Sequence, residues 1–147
     1  MKSFSSLRIL VVPIIQWLLI VLWVYTGASK LNDVAMFKHQ LNQQPFPASW
    51  SAVLVWLLPA TEFLVAGLII IPVTAKAGLT FSLLLLLIFT AYIILMLAGF
   101  FEQTPCACGG VLQLLNWPAH LMFNLVFLLL NGYGVHLFTL RKEVAEV

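Results

Sequence analysis

Charge is what this sequence lacks. Of 147 residues, 8% are charged and 63% are hydrophobic, with a mean hydropathy of +1.07. Soluble domains carry about 25% charged residues, so a surface this poor in charge excludes a soluble globular domain. The net charge is only +2, and no basic cluster offers a footprint for nucleic acid. No segment is low in complexity, and no internal repeat points to a solenoid. Cysteine is equally scarce. Cys106 and Cys108 are the only two, separated by one alanine, so they cannot staple distant segments together.

Long apolar runs are what is present. They cover about residues 9–29, 50–72, 78–101 and 118–140, and Glu62 is the one acidic residue inside them. Each is about 20 residues or longer, enough at about 1.5 Å per residue to cross a hydrocarbon core of about 30 Å. Lipid offers backbone groups no outside partner, so the runs must be helices. The expected fold is an all-α membrane protein: one domain over residues 1–147, a four-transmembrane-helix bundle. The first run also resembles a signal peptide. It is longer than the usual h-region of about 7–15 residues and carries Trp17, Trp23 and Tyr25, so it is read as a retained span.

The links complete the layout. In "KLNDVAMFKHQLNQQPFP", Asp33 can cap a short helix with Val34, Phe37 and Leu41 on one face, stopped by Pro45 and Pro47. "VTAKAG" is a tight turn. In "EQTPCACGGVLQLLNWPAH", Gly109 and Gly110 permit a sharp turn, "VLQLLNW" makes a second short interfacial helix, and Pro118 suits the first turn of the last span. Four spans place both termini on one side with the "VTAKAG" turn. That side holds Lys2, Arg8, Lys76, Arg141 and Lys142, against Lys30 and Lys38 opposite. The positive-inside rule then makes the termini cytoplasmic and the cysteine loop extracytoplasmic, as in a bacterial inner membrane. Disulfides form and persist on that outer face.

Cys-x-Cys is a cramped site for a disulfide. Two extended residues separate the Cα atoms by about 7 Å, the upper limit for bridging. The loop it closes is too short to stabilise much, and strain makes the bond more oxidising. The spacing therefore suits a disulfide that is passed on, with Cys106 and Cys108 as the catalytic pair. Amide N–H groups near Gly109 and Gly110 would favour a thiolate on Cys108 and make it the leaving group. Two other readings stand beside this one. A soft-metal site for Cu or Zn could use Cys106, Cys108 and His120, or His39. Alternatively the thiols have no role, and the chain is a non-catalytic assembly subunit.

Glu62 sits deep in the second run, where a charge must be paired or neutralised. It can lock helices through a hydrogen bond to Thr26, Tyr25 or a carbonyl near Pro59, or serve as a proton acceptor during thiol exchange. His120, at the start of the last run, is either a proton shuttle or an interfacial anchor. Lys30 is expected to face the headgroups. Asn124 and Asn131, seven residues apart, can hydrogen-bond across helices, and His136 is structural. Trp50, Trp56, Trp117 and Tyr92 are belt or packing residues.

"YTGASKLND", "PATE" and "CACGG", in that order, resemble the MauE/DoxX family of redox-associated membrane proteins, and the MauE branch most. The likeness runs from about residue 9 to 133. It implies that Cys106 and Cys108 match the family's cysteine pair. It further implies thiol–disulfide exchange with a thioredoxin-like partner or a substrate thiol, in the maturation of disulfide-containing proteins such as methylamine dehydrogenase. A quinone is a possible electron acceptor; no other cofactor is implied.

Overall fold

The four apolar runs form four long helices in a computed structural model that describes residues 2–44, 47–100 and 116–145. The helices are α1 (Lys2–Asn32), α2 (Val34–Asn42), α3 (Ala48–Ile70), α4 (Ala75–Leu97) and α5 (Trp117–Ala145). All but α2 contain an apolar stretch long enough to cross a bilayer: Leu10–Asn32, Ser49–Ile70, Ala75–Leu97 and Trp117–Thr139. The protein is a four-span helical membrane protein.

The distribution of residues is inverted relative to a soluble protein. Leu10, Ile14, Trp17, Val21, Trp50, Val53, Trp56 and Leu129 are exposed, while Thr26, Lys30, Ser51, Glu62, Ser82, Thr90, His120, Asn124 and Asn131 are buried. Lipid accepts the first set at no cost, and only the bundle interior can satisfy the second. Trp50 and Trp56 thus lie on the outer surface, and Tyr92 donates from α4 to Gln44 Oε1.

Local chemistry sets the helix ends. The Asp33 carboxylate accepts from the Met36 amide at 2.9 Å and caps α2. Phe37 and Leu41 of α2 bury against Val55 of α3, and the Ser51 hydroxyl donates to the Leu41 carbonyl at 3.3 Å. Ile71 is extended (φ −82°, ψ 118°) before Pro72, which ends α3. The chain turns at 71–74, where the Thr74 hydroxyl reaches back to the Leu68 carbonyl at 2.9 Å.

Two boundaries of the third span differ from expectation. It begins at Ala75, so Gly78 lies inside α4, where a Cβ would sit 2.6 Å from the backbone nitrogen of Ile69. It ends at Leu97 because Gly99 takes φ 74°. The amides of Gly99 and Phe100 then donate to the carbonyls of Met96 and Leu95, each at 3.2 Å, closing the last turn. At α5, the Asn116 side chain accepts from the Ala119 amide at 2.9 Å. Asn116 is therefore the cap of the last span rather than part of a loop helix. The expected loop helix, Pro45, and both cysteines with Gly109 and Gly110 lie outside the described residues.

The helices pack as neighbours in sequence: α1 against α3, α3 against α4, α4 against α5, and α5 back against α1. Ile15, Leu19, Leu22, Trp23, Val65, Ala66, Ile69, Leu79 and Leu86 form one apolar core. Gly134 brings α5 close to Ile15, and Gly27 brings α1 against the Phe63 ring.

Candidate functional site: a buried ion pair between the first and second spans

Trp23, Thr26 and Lys30 follow one another at helical spacing and are all buried on the inner face of α1. Glu62 is buried on the facing side of α3. Lys30 Nζ lies 2.6 Å from Glu62 Oε1, with the two side chains 3% and 2% exposed. Lys30 therefore does not face the headgroups. Its stem runs back along α1, where the ammonium also reaches the Thr26 carbonyl at 3.4 Å and sits 5.8 Å from the centre of the Phe37 ring. The carboxylate offsets much of the cost of taking the ammonium out of water, because the low dielectric strengthens their attraction. α2 thus covers the pair with an aromatic face.

The pair borders a cavity of about 50 Å³, shared by Thr26, Lys30, Glu62, His120 and Asn124 among apolar neighbours such as Phe89. His120 is 2% exposed, so it lies inside the bundle and is not an interfacial anchor. Of the residues proposed from sequence, Glu62 and His120 come to one place. Cys106 and Cys108 lie outside the described residues, but the segment holding them leaves α4 at Phe100 and rejoins the bundle at Asn116, four residues before His120. The Thr26 hydroxyl lies 3.3 Å from the Trp23 carbonyl and is also close enough to Glu62 to interact with it.

Deeper in the bundle, Trp23 Nε1 donates to Ser82 Oγ at 2.8 Å, and Ser82 Oγ lies 2.7 Å from the Asn131 amide. With its oxygen toward Ser82, Asn131 accepts from Ser82 Oγ and from the Leu83 amide at 2.9 Å, and donates to the Leu79 carbonyl at 3.2 Å. This chain links α1, α4 and α5. Sequence reasoning placed Asn131 across helices but missed Trp23 and Ser82; nothing in their spacing announces a partner on another helix.

His39 is exposed on α2 beside Gln43, away from the cavity. Among the described residues, no three His, Cys, Asp or Glu side chains converge as a metal site would require.

The pair joins two of the motifs singled out in the sequence. Gly27 and Lys30 belong to "YTGASKLND", and Glu62 closes "PATE". The family model described as "Methylamine utilisation protein MauE" matches residues 8–137. Neither a curated protein nor a solved structure matches the chain. With four membrane-spanning helices and that match over most of its length, the chain belongs to the MauE family.

Proposed function

We propose that this protein is a membrane thiol–disulfide oxidoreductase working outside the cytoplasm. The Cys106–Cys108 disulfide takes two electrons from the thiols of a thioredoxin-like partner or a substrate protein. An incoming thiolate attacks Cys106 Sγ and expels Cys108 as the thiolate. The partner's second thiol then attacks its own mixed-disulfide sulfur and releases Cys106. The partner leaves oxidised, and both cysteines end as thiols. Reoxidation passes two electrons and two protons to a quinone or to another protein disulfide. The physiological outcome is maturation of disulfide-containing proteins, methylamine dehydrogenase among them.

One observation carries this reading: a MauE-family chain has its only two thiols one residue apart. Two buried acid–base groups that line one cavity support it. Glu62 and His120 are placed in the role of proton relay.

Thiol trapping in cells tests the proposal. Cys108→Ser is expected to accumulate a mixed disulfide through Cys106, and Cys106→Ser to trap none. If the wild-type thiols stay reduced under all growth conditions, and the double serine variant supports full maturation, the oxidoreductase reading fails.

A further inference from the structure

Beside the turn at 71–74 the bundle carries a groove of about 1090 Å³, lined by Lys76, Thr80, Phe81 and Leu84 of α4, with Gln16 of α1 and Phe138 of α5. A recess of about 160 Å³ beside Pro13, Trp17 and Ile20 adjoins it and shares Gln16, Ile69 and Ile70. Small-molecule sites run to about 300–1,000 Å³, so the groove has room for something larger.

Its walls are graded in polarity. Lys76 is the second residue of α4, at the edge of the span, and is exposed. Thr80 follows one turn deeper, and its hydroxyl donates to the Lys76 carbonyl at 2.9 Å, which leaves the oxygen able to accept. Gln16 is half-buried within the span that starts at Leu10, about 9 Å inside it at about 1.5 Å per residue. Among the described residues, neither the Gln16 amide nor the Lys76 ammonium has a partner. Water is scarce at the depth of Gln16, so its amide needs a polar group that comes with the membrane. Past Thr80 the walls are apolar, with Phe81 and Leu84 53% and 51% exposed, and Trp17 67% exposed in the recess. Antiparallel spans bring the start of α1, the turn at 71–74 and the end of α5 to this end of the bundle. In sequence these segments hold Lys2, Arg8, Lys76, Arg141 and Lys142 against Glu143 and Glu146. That excess of positive charge favours an anionic ligand.

We propose that the groove binds one anionic diacyl phospholipid from the leaflet that meets this end of the bundle. Its phosphate lies against Lys76, and the Gln16 amide donates to an ester carbonyl at the glycerol. One acyl chain follows Phe81 and Leu84, and the other enters the recess beside Trp17. A free phosphate would satisfy Lys76 but leave Gln16 and the apolar walls uncovered. A zwitterionic lipid would add a cation where charge is already positive. The site is independent of the thiol chemistry and joins α1 to α3 and α4 through a lipid.

The test uses the full chain in phosphatidylcholine nanodiscs, doped with brominated phosphatidylglycerol or brominated phosphatidylcholine. Quenching of Trp17 is isolated as the difference from Trp17→Phe, and helix content is checked for every variant. Brominated phosphatidylglycerol is expected to quench at a mole fraction about fivefold lower, the factor that one lysine contributes near a membrane surface. Lys76→Gln is expected to remove that preference. Ala77→Phe, which keeps every charge and fills the groove, is expected to remove it too. Equal quenching by the two lipids in the wild type overturns the proposal. So does a preference that survives Lys76→Gln, or one that survives Ala77→Phe, which would mark diffuse attraction to a basic rim. Loss of quenching by both lipids on dimerisation would give the groove to a second copy of the chain and overturn the proposal equally.

Discussion

Lys30 of α1 and Glu62 of α3 meet at 2.6 Å inside a bundle whose outer surface is almost wholly apolar. The energetic consequence is asymmetric. Removing one partner strands a buried charge, at a cost of about 3–5 kcal/mol, whereas replacing both with apolar residues is close to neutral. Lys30→Met is therefore expected to lower stability sharply, and Lys30→Met/Glu62→Leu to recover most of the loss. Unfolding of the purified protein in mixed detergent micelles reads both. A single variant as stable as the double would mean that the pair carries no such coupling.

Trp23 and Ser82 supply a second tie, between α1 and α4. Trp23→Phe keeps most of the ring and loses the donor, while Ser82→Ala loses the acceptor. Interhelical hydrogen bonds in membranes average about 0.6 kcal/mol and reach about 1.7 kcal/mol. A double-mutant cycle on these two residues should give a coupling in that range, and zero coupling would show that they only pack.

Glycine substitutions should separate close packing from open surface. A Cβ at position 78 would lie 2.6 Å from the Ile69 backbone nitrogen and 2.8 Å from the Leu68 carbonyl carbon, while at position 132 it meets nothing within 4 Å. Backbone cannot yield as a side-chain tip can. Gly78→Ala is expected to destabilise by about 1–3 kcal/mol, and Gly132→Ala to leave melting unchanged. Equal melting temperatures would contradict the α3–α4 contact.

Orientation can be read with single cysteines introduced after both native thiols are replaced by serine. Lys38→Cys on exposed α2 should react with a membrane-impermeant maleimide in intact cells. Val73→Cys, in the turn between α3 and α4 and 93% exposed, should react only after lysis. The opposite pattern would place the cysteine segment on the cytosolic face, where disulfides are rare.

Much of the fold was legible because lipid is a strict solvent. It demands uninterrupted apolar lengths, and the four spans follow from that demand to within a few residues. Asp33 announced the α2 cap, and Pro72 bounded α3, for reasons local to the backbone. The errors were of two kinds. Lys30 was given to the headgroups because its position near the end of a span suits snorkelling; only the opposing helix turns the side chain inward. Asn116 was read as part of a loop helix, although its place just before Trp117 and Pro118 is that of an N-cap. Of the site, Glu62 and His120 were found from the rarity of ionisable groups in apolar runs.

Composition and periodicity by themselves determined that this chain crosses a membrane four times, and that its two thiols share the segment between the third and fourth spans. Both follow from short-range rules of length and solvent. The meeting of Lys30 with Glu62, the place of His120 beside them, and the Trp23–Ser82–Asn131 tie were decided only by tertiary structure. Each depends on how helices distant in sequence are rotated and staggered, and close approaches at Gly27, Gly78 and Gly134 set that register.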